Sequence, residues 1–189
     1  NEEKDGDDTY YLMKELWKYD CIPADYKKDD DGMEIKYPAT EGPSEIISTP
    51  VYYKGHVYVS IGQDPEHGEG VGNLVCVNTN TGKKSWEYRD IHRSISTVAI
   101  DESNGLLFAT DFSGFVRCVD ADTGKHYWTY DTKAHMWGSP LVADGKVFVG
   151  DEDGDLVVLA SDKKMKQLSE TYFPAPIYST PVVANGVLY

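Results

Sequence analysis

The sequence predicts an all-β chain of four-stranded antiparallel blades, a β-propeller, and three observations carry that prediction. Four segments begin alike: Ser48-Thr49-Pro50-Val51, Ser96-Thr97-Val98-Ala99, Gly138-Ser139-Pro140-Leu141 and Ser179-Thr180-Pro181-Val182. Their small hydroxyl residues Thr49, Thr97, Ser139 and Thr180 stand 48, 42 and 41 residues apart. Between them, short β-rich runs alternate with turn dipeptides, and a Trp-bearing run closes the first two full repeats. A period of about 40 residues built from short strands is the signature of one blade per repeat.

In chain order, residues 1–47 read as an acidic N-terminal segment with one outer blade strand and a long loop. Residues 1–11 are polar and expected to be mobile. Leu16-Trp17-Lys18-Tyr19-Asp20 matches Trp86-Glu87-Tyr88-Arg89-Asp90 and Trp128-Thr129-Tyr130-Asp131, which predicts an outer strand near 12–20. Pro23, Pro38, Pro43 and the charged run 27–31 give residues 22–46 a loop composition. Residues 48–189 hold the repeats, with blades near 48–90, 96–131 and 138–173 and a truncated one at 179–189. Lys54-Gly55, Asp144-Gly145 and Asn185-Gly186 mark a first hairpin, because tight hairpin turns need positive φ at both central residues. Gly72-Asn73, Ser113-Gly114 and Asp153-Gly154 mark a second turn. Thr81-Gly82 and Thr123-Gly124 mark a third. The 189 residues thus correspond to about half of a seven- or eight-bladed ring, completed by remaining blades of the same propeller or by another chain. A resumed strand and a further Trp strand are expected beyond Tyr189.

The formal net charge is −14. Such a surface argues against nucleic acid and favours cations or a basic protein as partners, while acidic turns also keep a β-rich chain soluble. No apolar run reaches the length of a spanning helix, so membrane insertion is not expected. The three cysteines, Cys21, Cys76 and Cys118, form no complete disulfide framework. Cys76 and Cys118 hold one position in consecutive repeats, too far apart for a bridge, and read as buried free thiols.

The run Cys118-Val119-Asp120-Ala121-Asp122-Thr123-Gly124-Lys125-His126-Tyr127-Trp128 resembles the tryptophan-docking motif of quinoprotein-type propellers, and Cys76 to Trp86 is a second copy. Cys replaces the family's Ala in both, and Asn78 its Asp in one. A third copy is eroded, with Lys163-Lys164 at the Thr-Gly place and Leu168 at the Trp place. Trp86, Trp128, Gly82 and Gly124 read as structural docking residues. The segment 62–72 resembles propellers of the bacterial pyrroloquinoline-quinone-binding-like repeat class, planctomycete-type proteins among them. The family spans dehydrogenases and membrane-protein assembly lipoproteins. Its dehydrogenases hold the quinone and calcium on the axis, often under a disulfide of adjacent cysteines; this chain has no adjacent cysteines.

Two sites are candidates. Asp64, Glu66, His67 and Glu69 crowd one insert and offer oxygen and nitrogen ligands, though in no standard metal spacing. Asp151-Glu152-Asp153-Gly154-Asp155 lacks the frame of a calcium loop and reads as a hairpin turn. Ligand sites of propellers lie where the inbound loops of the innermost strands meet at the axis. That places Arg93, His135, Trp137 and Tyr178 at one mouth of the channel. The function expected is a non-catalytic propeller, exported to the periplasm or extracellular space, acting as a scaffold or as a protein- or ligand-binding module. No cofactor is expected in this part of the ring. The alternatives are part of a quinone-dependent alcohol or sugar dehydrogenase, with pyrroloquinoline quinone and calcium, or a carbohydrate- or polymer-binding propeller using the 14 Tyr and 4 Trp.

Overall fold

In a computed structural model, residues 13–36, 44–62 and 70–189 are described, with the backbone of 2–5 and 8–11. Three four-stranded antiparallel meanders follow one another. The first joins β3 (Val51–Tyr53), β4 (His56–Ile61), β5 (Asn73–Asn78) and β6 (Lys83–Tyr88). The second joins β7 (Ala99–Asp101), β8 (Leu106–Thr110), β9 (Phe115–Asp120) and β10 (His126–Asp131). The third joins β11 (Leu141–Ala143), β12 (Lys146–Gly150), β13 (Asp155–Ala160) and β14 (Gln167–Tyr172). A hairpin of β15 (Val183–Ala184) and β16 (Val187–Leu188) begins a further blade. The fold is all-β, a propeller of four-stranded blades.

Turn chemistry explains the meanders. Lys54 and Gly55 take φ of 45° and 77°, Asp144 and Gly145 50° and 66°, and Asn185 and Gly186 52° and 74°. Two successive left-handed residues match the strand twist, which Asn and Gly accept with little strain.

Period-2 alternation lets each middle strand bury both faces. Leu107 and Ala109 of β8 join Tyr58, Leu74, Cys76 and Val119 between the first and second blades. Leu106 and Phe108 point the other way, joining Val116, Cys118, Val147 and Leu159 between the second and third. A Trp locks each seam. Trp86 Nε1–H donates to Ala121 O at 3.0 Å, and Trp128 Nε1–H to Asp162 O at 2.8 Å. A Cβ on Gly124 would lie 2.7 Å from the Trp86 ring, so the turn admits only glycine there. Trp128 is buried and Trp86 mostly buried, at equivalent places in successive blades.

The repeated hydroxyl has a physical role. Thr49 N–H donates to Thr97 Oγ1 at 3.0 Å, Thr97 N–H to Ser139 Oγ at 2.9 Å, and Ser139 N–H to Thr180 Oγ1 at 2.9 Å. This ladder ties each innermost strand to the next, satisfying a backbone donor that no ladder within a blade reaches. The period in the sequence is the period of this ladder.

Four expectations need correction. Residues 13–20 form no strand; yet Trp17 docks like its counterparts, donating to Thr79 O at 2.7 Å above Gly82, where a Cβ would lie 2.6 Å from it. The docking pattern survives because it needs an indole and a glycine turn, not strand pairing. Residues 17–26 thereby cover the outer side of the first blade, with Cys21, Trp17 and Tyr26 against Val59, Ile61 and Val75. Within 1–11, expected to be mobile, β1 (Glu2–Asp5) pairs with β2 (Asp8–Tyr11), a local pairing that composition does not reveal. Gly72-Asn73 is not a turn: Asn73 opens β5, and Gly72 lies against the His92 carbonyl, where a Cβ would come within 1.9 Å. Finally, Ser169, not Leu168, takes the Trp position of the third blade. Cys76 pairs with Trp86, Cys118 with Trp128, and Val158 with Ser169. Ala160 N–H reaches Lys166 O where Asp120 N–H reaches Lys125 O, so this turn is one residue longer.

Candidate functional site

In an antiparallel meander the inbound loop and the second turn share one end of the blade, and the hairpins lie at the other. The second turns of the second and third blades are each built on an aspartate. Asp111 Oδ1 accepts Phe115 N–H at 3.1 Å; Asp151 Oδ1 accepts Asp153 and Asp155 N–H at 3.1 and 3.0 Å. Gly114 and Gly154 follow with φ of 99° and 94°, and a Cβ on either would strike a carbonyl just beyond the blade's last strand, Ala134 O or Phe173 O, at 2.3 Å. These turns tuck against the inbound loops. Phe112 N–H donates to Arg93 O at 3.0 Å, Glu152 N–H to His135 O at 2.9 Å, and Ile177 N–H to Asp151 O at 2.9 Å.

The four residues placed at the mouth by sequence come together around a fifth, Phe112. The Arg93 guanidinium lies 4.5 Å from the Phe112 ring centroid, and both residues are buried. His135 stacks on Phe112 at 4.4 Å and 12°, and its Nδ1, 2.9 Å from Phe112 O, is the protonated nitrogen. Trp137 meets Phe112 edge-on at 5.0 Å and 88°, and Tyr178 meets Trp137 at 5.6 Å and 76°. Centroids at these distances, stacked or edge-on, are favoured by ring quadrupoles. Trp137 Nε1–H donates to Glu152 Oε2 at 3.0 Å. The outer members are open to solvent, Trp137 at 39% and Tyr178 at 58% exposure. The inner end of this chain of contacts is therefore cationic and buried. Its outer end is aromatic, carries a carboxylate and is exposed.

Sequence reading missed Phe112 and Glu152. They hold the same place in consecutive second turns, next to Asp111 and Asp151, and that repeat was the available signal. It also missed an ion pair one step below. Arg117 Nη1 donates to Asp111 Oδ2 at 2.5 Å, and His92 N–H to the same oxygen at 3.1 Å; Asp111 and Arg117 are buried. Asp151 is equally buried, but Val157 stands at the Arg117 position and Asp151 Oδ2 has no hydrogen-bond partner. Burial pushes the Asp151 carboxyl above its ordinary value, against the lowering effect of the Asp155 N–H. An apolar pocket of about 490 Å³ is lined by Tyr178 together with Leu156, Phe173, Pro181 and Leu188.

The candidate ligands Asp64, Glu66, His67 and Glu69 lie outside the described residues. Among the described residues, no three His, Cys, Asp or Glu side chains gather as a metal set. Cys21, Cys76 and Cys118 are free and buried. Burial pushes the Cys76 thiol up to about 11 and the Cys118 thiol to about 12, so neither is a nucleophile near neutral pH. Among the described residues no helix is long and apolar enough to cross a membrane.

Comparison with known proteins gives two groups of relatives. Quinoprotein alcohol dehydrogenase PedE of Pseudomonas putida is 28% identical over 133 residues, 68% of this chain and 21% of its own length. Outer membrane protein assembly factor BamB of Nitrosomonas eutropha is 28% identical over 85 residues, 45% of this chain and 20% of its own. The chain thus spans about a fifth of the length of these curated relatives. Among solved structures, BamB from Moraxella catarrhalis superimposes with a TM-score of 0.59 at 15% identity, covering 79% of this chain and 60% of that one. A europium-containing methanol dehydrogenase gives 0.52 at 18% identity, over 65% and 24%. At such identities the two structures speak for the fold alone. The model of one repeat family, described as outer membrane protein assembly factor BamB, matches residues 72–168 and 114–189. More than half of the chain lies within those matches, and it belongs to that family of PQQ-like propeller repeats.

Proposed function

We propose that this chain is part of an exported, non-catalytic propeller that works as a scaffold or binding module, with the mouth around Phe112 as its contact site. The observation that carries this reading is the unbroken series of contacts from buried Arg93 to exposed Tyr178. Three inbound loops and one second turn build it, and its open end is a rigid aromatic corner. Rigid rings fixed on a scaffold are what binding surfaces use to keep the entropic cost of contact small. The remaining blades of the ring are its first partners, since each blade is stabilised by its neighbours.

A dehydrogenase reading has one support, the names of relatives such as quinoprotein alcohol dehydrogenase PedE. The described residues do not fit its quinone. Glu152 and Asp153 flank the open mouth, and a quinone bearing several carboxylates would be repelled there. Arg93, which would balance them, is buried against Phe112. The test is to load the full-length natural protein with pyrroloquinoline quinone and calcium and to measure alcohol- and sugar-dependent dye reduction. We expect no turnover above the unloaded protein. Substrate-dependent turnover that follows the quinone content would restore the enzyme reading.

A further inference from the structure

We propose that Trp137, Tyr178 and Glu152 recognise a lysine or arginine side chain on a basic protein segment. The inference rests on the binding-module reading and adds the chemistry of the partner. Trp137 and Tyr178 come from successive inbound loops and stand at 76°, as two walls of a corner. Glu152 comes from the second turn of the third blade, and its hydrogen bond to Trp137 Nε1 holds a carboxylate at the indole edge. Aromatic faces attract cations through the ring quadrupole, and an adjacent carboxylate adds a direct charge.

Local charge points the same way. Glu152, Asp153 and Asp155 share one short turn, and the chain carries a formal net charge of −14. Lys133, which precedes Trp137 in the same inbound loop, is engaged by Asp131. Arg93 is buried with its guanidinium against the Phe112 ring. An acidic field of this kind steers basic partners and repels anionic polymers. Two rings and one carboxylate make a corner, not an enclosing cage for a free amine. It suits a side chain presented by a larger surface that closes over it.

The test uses the full-length protein and a fluorescent twelve-residue peptide alternating Lys or Arg with Ser and Gly. The controls are the same peptide with Nε-acetyllysine and citrulline, and the neutral oligosaccharide chitotetraose. We expect the basic peptide to quench the Trp137 signal and to protect Tyr178 from modification, and the uncharged peptide to bind at least tenfold more weakly. Glu152→Gln keeps an acceptor for the indole N–H and removes only the charge; it should weaken basic-peptide binding about tenfold, as should Tyr178→Leu. Equal affinity for both peptides, or an unchanged affinity in Glu152→Gln, would overturn the proposal. If the neutral peptide or chitotetraose protects Trp137 and Tyr178 with no dependence on charge, the mouth remains a binding site and the cation assignment falls. If the basic peptide binds while Trp137 and Tyr178 stay unprotected, both readings fall.

Discussion

At the seam between the first and second blades, a buried aspartate meets a guanidinium; at the next seam a valine stands where the guanidinium would be. Asp111 and Asp151 build the same turn with the same backbone bonds and are equally hidden from solvent. Arg117 completes the first, with Tyr88 of the preceding blade facing the same guanidinium. Val157 replaces it in the second, leaving one carboxylate oxygen without a partner. The docking indoles divide in the opposite sense. Trp128, at the seam without the ion pair, is 7% exposed, whereas Trp86 is mostly but not fully buried. The comparison teaches that one blade geometry can be stabilised mostly by apolar burial or partly by a buried ion pair. Fold similarity alone does not say which.

The largest expected effect is at Trp128. Trp128→Ala should cost about 3–5 kcal/mol, the range for large buried aromatics, and Trp86→Ala clearly less; urea unfolding of the full-length protein would show it. Equal losses would mean that the two seams do not differ in apolar burial. Next comes Arg117→Met, which strands Asp111 as a buried charge and should cost roughly 3 kcal/mol, as broken buried pairs do. Adding Asp111→Asn should recover much of that loss. A double variant as unstable as the single one would show that Arg117 acts by packing instead.

Asp151→Asn should act with the opposite sign, because no cation is lost. The folded state holds the Asp151 carboxyl above its unfolded value, so the protonated form is favoured by folding. Its contribution is fully present below the ordinary carboxylate range and is lost as pH rises through the folded value. Asp153 and Asp155 on the same turn and Tyr130 on β10 are the ionisable groups that interact with it, and none is cationic. Thermal midpoints should therefore be higher for Asp151→Asn than for the natural protein at pH 7 and converge near pH 3. A variant less stable at pH 7 would contradict the unpaired carboxyl. The smallest effect belongs to the hydroxyl ladder: Thr97→Val removes one acceptor and should cost about 1 kcal/mol, with Thr97→Ser close to neutral.

Much of the fold was legible because its turns have obligatory chemistry. Asp-Gly and Asn-Gly at the first hairpins, Thr-Gly at the third turns and Trp four or five residues on leave few alternatives. That Arg93, His135, Trp137 and Tyr178 share the inbound loops could be read by counting back from the hydroxyl that opens each repeat. The remainder depended on geometry. Phe112 belongs to a second turn, whose approach to the inbound loops has no periodic mark. Asp111 and Arg117 become partners only because a six-residue separation spans a turn and part of a strand. The shift from Leu168 to Ser169 follows from one extra residue in a turn that has lost its Thr-Gly landmark. Trp17 carried the docking signal without the strand pairing that usually goes with it.

The central claim is that the mouth around Phe112 is where this module meets its partner. It is tested most directly by placing a photocrosslinking amino acid at Tyr178 and, separately, at Tyr52, in the full-length protein expressed in its natural host. Tyr52 is as exposed as Tyr178 but lies in β3 beside the Lys54-Gly55 hairpin, at the opposite end of a blade. We predict a discrete covalent adduct at position 178, lost when Glu152→Gln is introduced, and none at position 52. Adducts at position 52 alone, or at both positions irrespective of Glu152, would contradict the claim.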